Sequence, residues 1–163
     1  MKIKSDFVTN SSSSNFVIGF PFVPKNEEDV HRMLFGGDEE VFISGYWVDS
    51  YSSKEISQTI FDLMKDQTPN NEEDIIDSIN EGWFEGMPKL NDFCKNGTDW
   101  MGNIDAYTKA CKEKAKELAQ KYLLGFPDLS FYTFSFDDDS PYMAMLESGE
   151  AFSRMCYERI SCH

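Results

Sequence analysis

The chain has 163 residues, of which 40% are hydrophobic and 15% aromatic, and a net charge of -14. The apolar content excludes a disordered chain and suits a single globular domain over residues 1–163. The acidity opposes contact with nucleic-acid phosphates and anionic lipids, so we expect no nucleic-acid binding and no membrane association. Polar residues 5–14 follow the basic start, where a secretory signal needs an apolar run, and we therefore expect a cytoplasmic protein.

The first third of the chain predicts two strands separated by a short helix. β-forming residues indicate a strand at 15–22 that prolines end. Asn26, followed by three acidic residues, predicts a capped helix that stops at Gly36 and Gly37. The β-rich run at 41–48 predicts the second strand, with a bulge at Gly45.

Helices dominate the middle of the chain. One is predicted to begin at Ser52 or Ser53, and the next at Asn70 or Asn71 after the break at Pro69. Their expected inner faces are Ile56, Ile60, Leu63 and Met64 in the first, and Ile75, Ile76, Ile79 and Trp83 in the second. An irregular segment, 84–103, precedes a long helix at 104–123. The expected stripe of that helix is Ile104, Tyr107, Cys111, Ala115, Leu118 and Tyr122.

The last third predicts an antiparallel meander of strands at 129–136, 142–147 and 155–160. An acidic turn, residues 137–141, joins the first two strands. Together these elements predict an α+β fold with one mixed β-sheet of about five strands and helices packed mainly on one side.

The acidic turn supplies the candidate metal ligands. Hard cations such as Mg²⁺ need clustered carboxylate oxygens, and strand ends hold them rigidly. The candidates are Asp137, Asp138, Asp139, Glu147 across the predicted hairpin, and the C-terminal His163. Aspartate is also common in turns for local hydrogen bonding alone, and that interpretation stays open. We expect no cofactor, and a divalent cation at this turn is the alternative.

Catalysis by a nucleophile lacks sequence support. The chain has two histidines, and His31 falls in an acidic helix where we expect it to be exposed. Cys162 and His163 are adjacent, so on a strand their side chains point to opposite faces. No serine-hydrolase, P-loop or dinucleotide motif is present.

The segment "FVTNSSSSNF", Phe7 to Phe16, resembles an N-terminal signature of small, largely uncharacterised proteins of bacteria and their phages or mobile elements. The ending "RISCH" resembles the ending of some of those chains, which finish Ile-Ser-His-His; here Cys162 replaces the first histidine. The resemblance implies an accessory protein and assigns no activity. Its signature residues are Asn10, Ser11, Ser12, Ser13, Ser14 and Phe16.

Apolar β-formers flank the serine run on both sides. We expect Asn10 and Ser11 to Ser14 to form an ordered turn, because serine and asparagine side chains bond to nearby backbone groups. A flexible loop is the alternative.

The favoured function is binding of a protein with a basic surface, since attraction to an acidic chain speeds association. A small metal-dependent enzyme built on the acidic turn is the alternative, and self-association is a third possibility. The long helix carries lysines that indicate either a solvated face or a docking edge for an acidic partner or a second copy: Lys109, Lys112, Lys114, Lys116 and Lys121.

Overall fold

The structure is a computed structural model that describes residues 14–44, 50–82, 84, 86–93, 103–136, 146 and 150–161. The α+β class is confirmed, with four helices and five strands among these residues. The strands are β1 (Ser14–Phe20), β2 (Phe42–Ser44), β3 (Ser50–Ser52), β4 (Ser130–Phe136) and β5 (Cys156–Ser161). The helices are α1 (Glu27–Phe35), α2 (Ser53–Met64), α3 (Glu72–Asn80) and α4 (Ile104–Gly125). None of the described helices is long and apolar enough to span a bilayer.

The five strands form two antiparallel sheets rather than the one mixed sheet that was expected. β1 is the central strand of a three-stranded sheet with the order β4-β1-β5. β2 and β3 form a separate ribbon. The predicted C-terminal meander is therefore wrong, because β1 lies between β4 and β5. Neighbouring strands in sequence are a good first guess, but the most apolar strand gains most from the central position.

Helices cover both faces of the three-stranded sheet, not mainly one. Phe16, Ile18 and Phe20 of β1 pack in a core with residues of α1 and α2. Val17, on the opposite face, packs with residues of α3 and α4. A strand buried on both faces reads as a continuous apolar run, as "FVIGF" does.

The helix starts follow their predicted caps. The side chain of Asn26 accepts from the backbone N–H of Asp29 at the start of α1. Asn71 forms a reciprocal capping box with Asp74 at the start of α3. Gly36 ends α1 with φ 80°, a left-handed conformation that favours glycine.

The structure differs from some of the predicted residue positions, and other predictions concern residues that the structure does not describe. Leu63 and Ile104 were expected on inner faces, yet they are 37% and 41% exposed. Both lie at the margin of their helical stripe, where the period alone does not separate core from surface. Leu146, predicted as strand, is buried and helical. The remainder of the predicted strand at 142–147, the bulge at Gly45, and Trp83 lie outside the described residues.

Candidate functional site

A cleft of about 440 Å³ lies between α1 and α2. Two acids from the first turn of α1, one from the first turn of α2 and one from the loop after α1 contribute to its lining. Acids are favoured in first turns because they complement the positive end of the helix dipole. Two helix starts therefore bring carboxylates to the same cleft. We call it the acidic cleft; among the described residues, its charged lining is Glu27, Glu28, Asp38, Glu55 and one cation, Lys54.

The ion pairs around the acidic cleft leave it negative. Asp38 accepts from Arg32 at 2.9 Å. Lys54 lies 4.0 Å from Glu40, which also accepts a short hydrogen bond from the hydroxyl of Ser52. The charge of Lys54 is thus offset by Glu40, a carboxylate that does not line the cleft. Exposed pairs of this kind contribute little to stability, but they leave the sign of the local potential intact.

His31 forms part of the cleft wall and is 5% exposed, so the expectation of an exposed histidine is wrong. Its Nδ1 lies 2.8 Å from the carbonyl oxygen of Gly37, and its Nε2 lies 2.8 Å from Oγ of Ser53. A carbonyl only accepts, so a neutral imidazole carries its proton on Nδ1 and accepts from the Ser53 hydroxyl at Nε2. The Ser53 Oγ also accepts from the backbone N–H of Val41 at 2.9 Å.

These contacts resemble the hydrogen bond between a nucleophile and its general base. However, Ser53 is 0% exposed and does not line the cleft. A substrate cannot contact its oxygen in this arrangement. The hydrogen bonds of His31 and Ser53 instead connect α1, the residue before β2 and the start of α2. They fix the position of His31 in the wall of the acidic cleft.

The sequence contained one signal for His31 that was missed. His31 lies between Val30 and Leu34 on α1, three residues before Leu34, and both neighbours are buried. Residues three apart share a helix face, so position 31 belongs to the inner arc. Its partner Ser53 is 22 residues away, and no motif indicates that pairing.

Ser14 and Phe16 are the members of the N-terminal signature that the structure describes. Both are 0% exposed, and both belong to β1. The guanidinium of Arg159, which begins the "RISCH" ending, donates from Nε and Nη2 to the Ser14 hydroxyl at 3.0 and 2.9 Å. The described residues of the two strings that carry the resemblance, 14–16 and 159–161, are thus neighbours in the sheet. Asn10 and Ser11 to Ser13 lie outside the described residues.

The candidate metal ligands Asp137, Asp138, Asp139, Glu147 and His163 also lie outside the described residues, as does Cys162. Among the residues that are described, no group of three or more His, Cys, Asp or Glu side chains could hold a metal ion. The strand register is informative nonetheless. Phe136, the last residue of β4, and Ser161, the last residue of β5, both pair with Ser14.

The lysines of α4 face an acidic neighbour within the chain. Lys112 lies 3.7 Å from Asp77 of α3, and Gln120 donates to Glu72 of α3 at 3.0 Å. Other lysines pair along the helix itself, as Lys109 does with Glu113 at 3.9 Å. These contacts favour a solvated face whose charge α3 complements.

Buried Tyr122 forms a cluster with half-buried Cys156 and Glu158 between α4 and β5. The Tyr122 hydroxyl donates a short hydrogen bond to the Glu158 carboxylate. Burial first, and then this bond, raises the pKa of Tyr122 above its ordinary value. Burial and the Glu158 charge raise the pKa of the Cys156 thiol. A thiol held protonated is a poor nucleophile, so this cluster is not suited to covalent chemistry.

Comparison with models of protein families, with curated proteins and with solved structures finds no match to this chain.

Proposed function

We propose that this chain is an accessory protein, acting in the cytoplasm, whose acidic surface binds the basic surface of another protein. The acidic cleft receives basic side chains of that partner. The observation that carries the proposal is the lining of the cleft, with four carboxylates against one lysine. The chain has a net charge of -14, so a basic partner is attracted at long range. The acidic cleft is the site at which its basic side chains then bind.

The size of the acidic cleft supports this use. Its volume of about 440 Å³ lies within the range of about 300–1,000 Å³ that is typical of binding pockets. Glu28 and Glu55 are exposed, while Glu27 is half-buried. A guanidinium group can bond to two neighbouring carboxylates, as Glu27 and Glu28 provide at the start of α1.

The test uses a pair of variants that carry the same net charge. Glu27→Gln/Glu28→Gln removes the charge of two carboxylates in the cleft, and Asp66→Asn/Glu73→Gln removes the charge of two exposed carboxylates elsewhere. Proteins retained by the immobilised chain are compared at ionic strengths of about 0.01 M and about 0.15 M, where the Debye length is about 30 Å and about 8 Å. We expect a partner that the control variant retains and the cleft variant loses. Equal retention by both variants refutes the role of the cleft.

A second candidate is a small metal-dependent enzyme that uses Asp137, Asp139, Glu147 and His163. The shared pairing of Phe136 and Ser161 with Ser14 favours it, because the chain leaves β4 and β5 at the same end of the sheet. Two strand spacings, roughly 10 Å, separate these exits, so ligands from both could approach one cation.

Calorimetric titration with Mg²⁺ and with Mn²⁺ tests this candidate. We expect heat of binding for the unaltered chain and for Asp66→Asn/Glu73→Gln, and none for Asp137→Ala/Asp139→Ala. Absence of binding by the unaltered chain removes the candidate.

A further inference from the structure

Part of the outer edge of β4 is covered by a single residue, Asn70. Asn70, just before α3, donates its backbone N–H to the carbonyl of Phe131 at 2.8 Å. Its side-chain oxygen accepts from the backbone N–H of Thr133 at 2.7 Å. Asn70 thereby takes the place of a neighbouring strand for these two residues, which is a way of protecting a sheet edge.

The edge continues past Asn70. In an antiparallel strand the N–H and C=O of alternate residues point to the same side, so Ser135 faces outward as Phe131 and Thr133 do. Within the part of the chain that the structure describes, no strand or side chain bonds to this edge at Ser135. The carbonyl of Thr133 and both backbone groups of Ser135 therefore present a short pairing edge.

A groove of about 370 Å³ lies between α3 and the Ser135 end of β4, where it also reaches Asn15 of β1, and we call it the edge groove. Thr133, Phe134 and Ser135 line one side. The ring of Phe134 packs on the other face of the sheet, in the core with α1 and α2, so only its backbone lines the groove. The other side is formed by α3 and brings Asp74, Asp77 and Glu81, with no basic residue in the described lining.

We propose that the edge groove binds an extended basic segment of the protein partner as an added β-strand. The inference rests on the proposed function for the basic character of the partner. Backbone hydrogen bonds to Thr133 and Ser135 supply the pairing, and every second side chain of the added strand points toward α3. Basic residues at those alternate positions meet the carboxylates of α3. Asp77 already lies 3.7 Å from Lys112 and Asp74 accepts from the N–H of Asn71, so Glu81 is the main contact for a basic side chain. This charge complementarity selects the occupant.

The probe is a synthetic peptide that alternates arginine with valine, and its binding is measured by fluorescence anisotropy. Two control peptides have the same sequence and are N-methylated either at the valine amides or at the arginine amides. Methylation keeps the charge of the peptide and removes N–H donors to the edge of β4. We expect the unmodified peptide to bind, and one of the methylated peptides to bind about tenfold more weakly, as expected for loss of one or two backbone hydrogen bonds. Equal binding of all three peptides overturns the proposal, since simple charge attraction then explains it.

Ser135→Pro tests the same edge from the protein side. Proline is tolerated on an edge strand where the N–H faces outward, so the pairing of β4 with β1 is retained. We expect about tenfold weaker peptide binding for Ser135→Pro and unchanged binding for Ser135→Ala. Unchanged binding by a folded Ser135→Pro variant overturns the proposal; if that variant does not fold, the methylated peptides still decide.

The outcomes separate this inference from the proposed function. The variant Glu27→Gln/Glu28→Gln should keep the difference between the unmodified and the methylated peptides, even though it loses the partner. If the cleft variant retains the partner, the proposed function fails while the peptide result stands. If sedimentation shows a dimer that Ser135→Pro converts to monomer, a second copy occupies the edge and the inference is wrong.

Discussion

Ser53→Ala removes one hydroxyl group from the junction of α1, β2 and α2. That hydroxyl accepts from the N–H of Val41 at 2.9 Å and donates to Nε2 of His31 at 2.8 Å. Both partners would then lack a hydrogen bond in a site where His31 is 5% exposed. A buried polar group left unpaired costs about 1–3 kcal/mol, and Val41 lies near water, so we expect a loss of about 2 kcal/mol.

Ser57→Ala is the matched control, since it lies one turn later on the same helix and is 1% exposed. Its hydroxyl donates to the carbonyl of Ser53 at 2.7 Å, an acceptor that the helix already uses. Alanine also has the higher helix propensity, so the change should stay within about 0.5 kcal/mol.

Urea unfolding followed by circular dichroism measures both variants, with similar slopes required for the comparison. The account requires a clear difference between the two. If Ser53→Ala and Ser57→Ala lose the same stability, the hydroxyl of Ser53 does not connect the three elements. A double-mutant cycle with His31→Phe should then show a coupling below about 0.5 kcal/mol instead of about 1 kcal/mol.

Three further substitutions test other parts of the fold. Gly36→Ala should lose about 1–2 kcal/mol in urea unfolding, because φ is 80° and the new Cβ would lie 2.5 Å from Arg154, whereas Gly37→Ala, with its nearest atom 4.0 Å away, should be nearly neutral. Asn71→Ala removes the capping box of α3 and should lower thermal stability by about 1 kcal/mol; an unchanged melting temperature would contradict this. Burial raises the pKa of Tyr122 in the folded state, so the folded chain holds that proton more tightly than the unfolded chain. Stability is then complete below pH about 10 and falls as pH rises further, and Tyr122→Phe should reduce that fall; an identical alkaline profile would refute the assignment.

Local chemistry accounts for what the sequence predicted well. Asn26 and Asn71 cap helices because a short polar side chain reaches the free N–H groups of the first turn. Gly36 ends α1 because the chain must adopt a positive φ there. These signals lie within a few residues of the structure they determine.

Long-range pairing accounts for what the sequence did not predict. The order β4-β1-β5 joins strands more than a hundred residues apart, and no local pattern encodes it. The contact of His31 with Ser53 and that of Asn70 with Thr133 likewise depend on the packing of separate elements. The acidic cleft arises from two helix starts that were each predicted, but their proximity was not.

The central claim is that the acidic cleft receives basic groups of a protein partner. The most direct measurement is an NMR titration of the labelled chain with a short oligoarginine peptide at about 0.01 M ionic strength, repeated with Glu27→Gln/Glu28→Gln and Asp66→Asn/Glu73→Gln. The account predicts amide shifts at the starts of α1 and α2 that persist in the control variant and disappear in the cleft variant, whereas any shifts along the edge groove remain in all three proteins. Shifts spread evenly over all exposed acidic residues, or unchanged at these helix starts in the cleft variant, would contradict it.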